Sequence, residues 1–194
     1  MIYPASYDIS ILQNATWSAT FRATQNRQEV SAITVATNTP TFSVPCHGFV
    51  ATDKVVFTGG DEVPCGLELN RVYFVIATGL TTGAFQVSTT SGGSSISVSD
   101  TASGTFYVAE PVNITGYTVD SDIKGLIDGI QVATFTPALT APADGEFTLS
   151  LLPATTAGLA VGRYGYDVSL TSGSGARYYW LTGVAAVQRT YSRS

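Results

Sequence analysis

Few side chains in this sequence have the chemistry to act on a substrate. His47 is the single histidine, so any Ser-His-Asp or Cys-His arrangement would have to run through it. Cys46 stands beside it, but neighbouring strand residues point to opposite faces, and we read His47 as a turn residue bonded to backbone. Asp120 and Asp122 share one strand face and, with Asp128, raise the thought of a calcium site or a glycosidase pair. Calcium loops need several oxygens at tight spacing around a sharp glycine turn. Glycosidases need two carboxylates facing across a cleft. Neither pattern is visible, and a solvated or interface face is the plainer reading; Asp167 reads as a hydrogen-bond acceptor. Gly173-Ser174-Gly175 lacks the lysine and following helix of a phosphate-cradling loop, and the sequon Asn113-Ile114-Thr115 carries no weight without secretion. We therefore expect no enzyme, no catalytic residue, no cofactor and no metal.

Cys46 and Cys65 leave two readings open. In a cytosolic product they are free thiols; in a particle exposed to oxygen they form a disulfide, whose loop of about 20 residues would contribute roughly 3 kcal/mol. Zinc wants four ligands, and only His47 could join the pair. The aromatic set Tyr164, Tyr166, Tyr178, Tyr179, Trp180 and Tyr191 also divides. Strand alternation puts Tyr178 and Trp180 on the side opposite Tyr179, so part is core and part exposed. Exposed tyrosine beside arginine is typical of protein interfaces, and equally of sugar-stacking sites in adhesins. Tyr164, Tyr178, Tyr179, Trp180, Arg189 and Tyr191 are the candidate protein–protein interface.

The elements that must hold these residues are strands. Of 194 residues, 44% are hydrophobic and only 12% charged, the reverse of a disordered chain. A surface so poor in charge is weakly protected against association, which a packed assembly tolerates better than a free monomer. The net charge of −5 and scattered basic residues (Arg163, Arg177, Arg189 and Arg193 come nearest to a cluster) argue against nucleic-acid binding. No signal peptide is expected from Met1 to Asp8, and the longest apolar run, Val72 to Ala77, is far short of the roughly 20 residues that cross a bilayer. We expect a soluble protein made in a cytosol, with no membrane partner.

Period-two alternation predicts strands at Tyr7 to Ile11 and Thr16 to Thr24, the latter with Trp17, Ala19, Phe21 and Ala23 on one face. Short strands follow at Ala32 to Val35, Lys54 to Phe57, Val72 to Ala77, Ala84 to Ser88, Ser95 to Val98 and Thr105 to Val108. Turn clusters such as Gly59-Gly60-Asp61 and Ser91-Gly92-Gly93-Ser94 separate them. Beyond them come Asn113 to Ile123, Gln131 to Thr136, Glu146 to Leu151 after the Asp144-Gly145 turn, and Gly162 to Thr171 joined to Arg177 to Val187 as a hairpin. Pro153 to Leu159 is the one helical candidate. The expected fold is all-β: a sandwich made of residues 1–29 and 110–194, with a small β-barrel or sandwich module, residues 30–109, inserted where loops tolerate it best.

Two stretches resemble phage families. Pro111-Val112-Asn113-Ile114-Thr115-Gly116-Tyr117-Thr118-Val119 resembles the "PVDLTGYT" strand of an immunoglobulin-like domain, similar to the N-terminal domain of upper baseplate proteins. Ala15 to Phe21, Asp144 to Leu149, Leu159 to Val168 and Gly183 to Val187 match that family's other strands in order and spacing. Inside the insert, Cys46-His47-Gly48-Phe49-Val50-Ala51-Thr52-Asp53-Lys54-Val55-Val56-Phe57 resembles the "HGF-x-x-G-D-x-V-x-F" start of a β module of phage tail proteins. Val63 to Leu67, Tyr73 to Ile76 and Phe85 to Thr90 continue the match. Thr52 stands where that pattern favours glycine. Cys46 and Cys65 both stand where it carries other residues, a paired departure that favours their being neighbours and leaves disulfide and thiols equally open.

The resemblance implies an immunoglobulin-like sandwich in a non-catalytic virion protein, assembled in the host cytoplasm: a tail, baseplate or fibre-connector subunit. A capsid decoration protein and a receptor-binding adhesin are the alternatives. The implied partners are other phage structural proteins and further copies of the chain, as a trimer or hexamer.

Overall fold

The computed structural model describes residues 5–36, 39–59, 64–98 and 105–191. The chain forms two compact units, one of residues 1–23 and 113–194, the other of residues 24–112. The first unit opens with β1 (Ala5–Ser6), β2 (Ile9–Leu12) and β3 (Trp17–Arg22). The second holds β4 (Thr24–Glu29), β5 (Ala32–Ala36), β6 (Thr39–Ser43), β7 (Lys54–Thr58), β8 (Val72–Ile76), β9 (Ala84–Ser88) and β10 (Tyr107–Pro111). The first then resumes with β11 (Thr118–Gly125), β12 (Gln131–Thr134), β13 (Thr136–Ala141), β14 (Glu146–Leu151), the short helix α1 (Pro153–Gly158), β15 (Gly162–Thr171) and β16 (Arg177–Gln188).

The first unit is a sandwich of two sheets. One runs β1-β16-β15-β11-β12, with β2 also on β16; the other runs β13-β14-β3. Alternation builds its core: Phe147, Leu149 and Leu151 of β14 are buried, as are Tyr166, Val168 and Leu170 of β15. Phe135, between β12 and β13, marks where the chain crosses from one sheet to the other. Its ring lies 5.2 Å from Trp17 on β3 and 5.9 Å from Tyr166 on β15, so one aromatic row ties both sheets together.

β1 and β2 run parallel to β16, with Ala5 opposite Leu181 and Ile9 opposite Ala185. Between them the chain bulges, and the bulge is held by three hydrogen bonds, the first from the Tyr7 N–H to the Thr182 carbonyl at 3.0 Å. The Tyr7 carbonyl accepts from the Tyr166 hydroxyl at 2.5 Å, and the Asp8 carboxylate accepts from the Val184 N–H at 2.9 Å. Gly183 makes room for the bulge, because a Cβ there would overlap the Tyr7 carbonyl.

The second unit is a single seven-stranded sheet, β4-β10-β7-β8-β9-β6-β5. β6 and β7 lie three strands apart on that path, about 14 Å if the sheet were flat, yet the rings of Phe42 and Phe57 are 4.6 Å apart. The sheet is therefore rolled around an apolar centre that includes Phe42, Phe57, Tyr73, Phe85 and Phe106. Its end strands β4 and β5 are consecutive in the chain, joined through Val30 and Ser31, but the ladder itself is open among the described residues. At the seam Thr24 of β4 pairs with Pro111 of β10.

Several expected features differ. β4 pairs with β10, so the boundaries move from 29/30 and 109/110 to 23/24 and 112/113. β6 and β13 contain Pro40 and Pro137, which argue against a strand in sequence. Pro40 lies beyond the two-residue ladder that β6 makes with β9, and β13 is a sheet edge; each position tolerates a missing N–H. Ser95 to Val98 makes no ladder, only an Ile96 N–H bond to the Val87 carbonyl at 2.9 Å. Asn113 to Tyr117 is a turn rather than strand, closed by Thr115 N–H on Asn113 Oδ1 at 2.9 Å. Gly60, Asp61, Val63 and Arg193 lie outside the described residues.

Gly183→Ala is expected to destabilise the chain by about 2–3 kcal/mol in chemical denaturation, since backbone must move to accept the methyl. Burial, reinforced by Tyr7 and Asp8, raises the Tyr166 phenol above its usual 10.0. A raised folded value favours the protonated native state, so this contribution is intact below about pH 10 and is lost as pH climbs further. Stability measured from pH 8 to 11 should fall less steeply for Tyr166→Phe than for the parent chain.

Candidate functional site

His47, Asp120, Asp122 and Asp128 are each held by local structure. His47 sits between Cys46 and Gly48, which both have positive φ (56° and 75°). Its Nδ1 accepts the Phe49 N–H at 2.9 Å, and its ring stacks on Phe49 at 4.9 Å and meets the edge of Phe85 at 5.2 Å. The proton must then lie on Nε2, which is buried and meets no partner among the described residues. Asp120 pairs with Arg177 at 3.5 Å, Asp122 accepts from the Thr134 hydroxyl at 2.9 Å, and Asp128 caps its own turn through the Ile130 N–H at 3.0 Å. Cys46 and Cys65 are both exposed thiols with no disulfide between them; each lies in a tight turn of the second unit.

The expected aromatic interface does not form one surface. Tyr164 bends back so that its hydroxyl donates to the Ala160 carbonyl at 3.0 Å, closing the corner that enters β15. Tyr178 and Tyr179 are both exposed, at 43% and 50%. Alternation fails there because Leu181 pairs with Val168 and Tyr179 with Ser169, leaving Trp180 as the extra residue of a bulge. Trp180 is half-buried, and its indole N–H has no partner among the described residues. Arg189 and Tyr191 follow the far end of β16, ten residues beyond Tyr178 or about 33 Å along the strand.

That far end holds a feature the sequence reading missed. β2, β11 and β16 finish there, and β3, β12 and β15 begin there. Fourteen large hydrophobic side chains are exposed among the described residues, and seven of them crowd this end. Leu12 comes from the end of β2; Leu126, Ile127 and Ile130 come from the β11–β12 turn. Leu152 and Val161 flank α1, and Tyr191 follows β16. The β11–β12 turn is held firmly: Gly125 N–H reaches the Ile130 carbonyl at 2.9 Å and Gly129 N–H the Gly125 carbonyl at 3.0 Å. Ile127 is thereby presented fully to solvent from a stiff support. At the same end of the unit Val161, Gln188, Arg189 and Tyr191 line an open cleft of about 420 Å³. The missed signal was three aliphatic residues packed around Asp128-Gly129, where a hairpin turn is ordinarily polar.

No protein-family model matches the chain, and no curated protein matches it.

Because the Trp180 indole N–H is unpaired, Trp180→Phe should alter stability by less than about 1 kcal/mol, whereas Trp180→Ala, which empties the bulge, should lower it by about 2 kcal/mol. Thermal melts of the two variants separate these effects.

Proposed function

We propose that the chain is a non-catalytic structural subunit of a bacteriophage virion, acting in the tail or baseplate or as a fibre connector, and that it docks through the apolar end of its first unit. The observation that carries this reading is the gathering of seven exposed large side chains at one end of a rigid sandwich. Large apolar side chains gathered at one end of a domain are a mark of a contact surface. Loops at the end of a β-sandwich are where such folds place their contacts.

Two observations support the immunoglobulin-like reading. β3, β14 and β13 share one sheet while β11, β15 and β16 share the other, the same division as B, E, D against C, F, G in that fold. Tyr164, at the start of β15, bonds to backbone four residues upstream, as the tyrosine corner of such domains does. The motif order described above supplies the phage context. Its partners on this reading are other virion proteins and copies of the chain in a ring, and its place is the virion.

Quantitative mass spectrometry of purified virions tests the assignment. The expected result is the chain in the tail fraction at a small multiple of three copies per particle, with Ile127→Asp lost from particles but normally folded. Copy numbers following the head lattice would move it to decoration. Its absence from purified virions would end the proposal.

A further inference from the structure

The one histidine sits where its ring cannot keep its bond and take a second proton. His47 is only 5% exposed, and its Nδ1 accepts the Phe49 N–H at 2.9 Å. A neutral imidazole can accept there, whereas an imidazolium carries hydrogen on both nitrogens and accepts nothing. Protonation would set two N–H donors against each other inside the turn. It would also place a charge among apolar rings, with Phe49 stacked at 4.9 Å and Phe85 edge-on at 5.2 Å. The attraction of a cation for a phenyl face offsets only part of that.

The ionisable groups on the elements packed around the ring are engaged elsewhere. In its own loop the Asp53 carboxylate accepts the Val50 N–H at 2.8 Å, and the Cys46 thiol is exposed. β9, which supplies Phe85, carries no ionisable side chain. β4 meets the loop through Gln28, whose Nε2 donates to the His47 carbonyl at 3.3 Å. Arg27 and Glu29, on either side of Gln28, alternate to the opposite face of β4, and Arg27 lies over the Tyr107 ring at 3.6 Å. The turn also holds Cys46 in the left-handed region at φ 56°, which a residue with a Cβ adopts only when its surroundings impose it. Phe49 packs against both rings, 5.2 Å from Phe85, so the loop cannot release His47 and keep Phe49 covered. We propose that His47 is an acid-operated latch on the β6–β7 loop: when its imidazole takes a second proton the ring leaves its site, the turn around residues 46–52 opens, and Phe49 is uncovered. The latch belongs to the second unit alone and is independent of the contact surface assigned to the first.

Amide hydrogen exchange on the full chain, followed by NMR and corrected for the intrinsic pH dependence of exchange, tests the latch. Opening coupled to uptake of one proton should lower Phe49 protection about tenfold per pH unit as pH falls from about 6.5, where a free imidazole titrates, to about 5. The amide of Val168, in the core of the first unit, should keep its protection. His47→Asn retains an acceptor at the position of Nδ1 without a titrating ring, so its Phe49 protection should be flat across the range. The Cε1–H resonance of the single histidine reports the proton directly in the parent, whatever the variant does to folding. Phe49 protection that holds to about pH 5, that falls equally in His47→Asn, or that persists while the imidazole titrates overturns the proposal.

Discussion

The first unit is closed by the parallel pairing of residues 5–12 on residues 181–188. These partners are about 175 positions apart in the chain, and drawing such a loop shut costs on the order of 5 kcal/mol of chain entropy. The seam returns that through backbone hydrogen bonds and the burial of Ile9 and Ile11 against Ala185 and Val187. It is possible only because Gly183 leaves space for the Tyr7 carbonyl and Tyr166 supplies the bond that carbonyl would otherwise lack. The apolar end depends on the same seam. Leu12, Val161 and Tyr191 converge because β2, β15 and β16 are locked in one register.

Where one face of a strand is buried throughout, the sequence was readable. Glu146–Leu151 and Gly162–Thr171 emerge from alternation alone, with the hairpin linking the latter to β16. Reading failed where tertiary context overrides a local rule. Pro40 and Pro137 sit in strands because neither position owes a ladder bond. Tyr178 and Tyr179 are exposed together because the Trp180 bulge resets the period within a strand that otherwise keeps it. Of the candidate interface, Arg189 and Tyr191 reach the apolar end, while Tyr164 is spent on a backbone bond. The end itself was illegible for a different reason. It is assembled from four separate segments, none long enough to show a period, and only the fold makes them neighbours.

The division between chemistry and contact follows from how polar groups are used. His47, Asp120, Asp122 and Asp128 each satisfy a nearby backbone or side-chain partner, which fixes turns and sheet faces. With only 12% of residues charged, little remains to solvate the apolar side chains that the strand ends leave outside.

The pairing of Thr24 with Pro111 also bears on how such a chain is put together over time. The second unit begins and finishes one strand spacing apart, roughly 5 Å, so the host sandwich meets it as it would a tight hairpin. Any cassette whose termini emerge side by side could occupy the same slot without disturbing the core beneath. A scaffold of this kind can therefore accept a different module at that slot without any change at its apolar end.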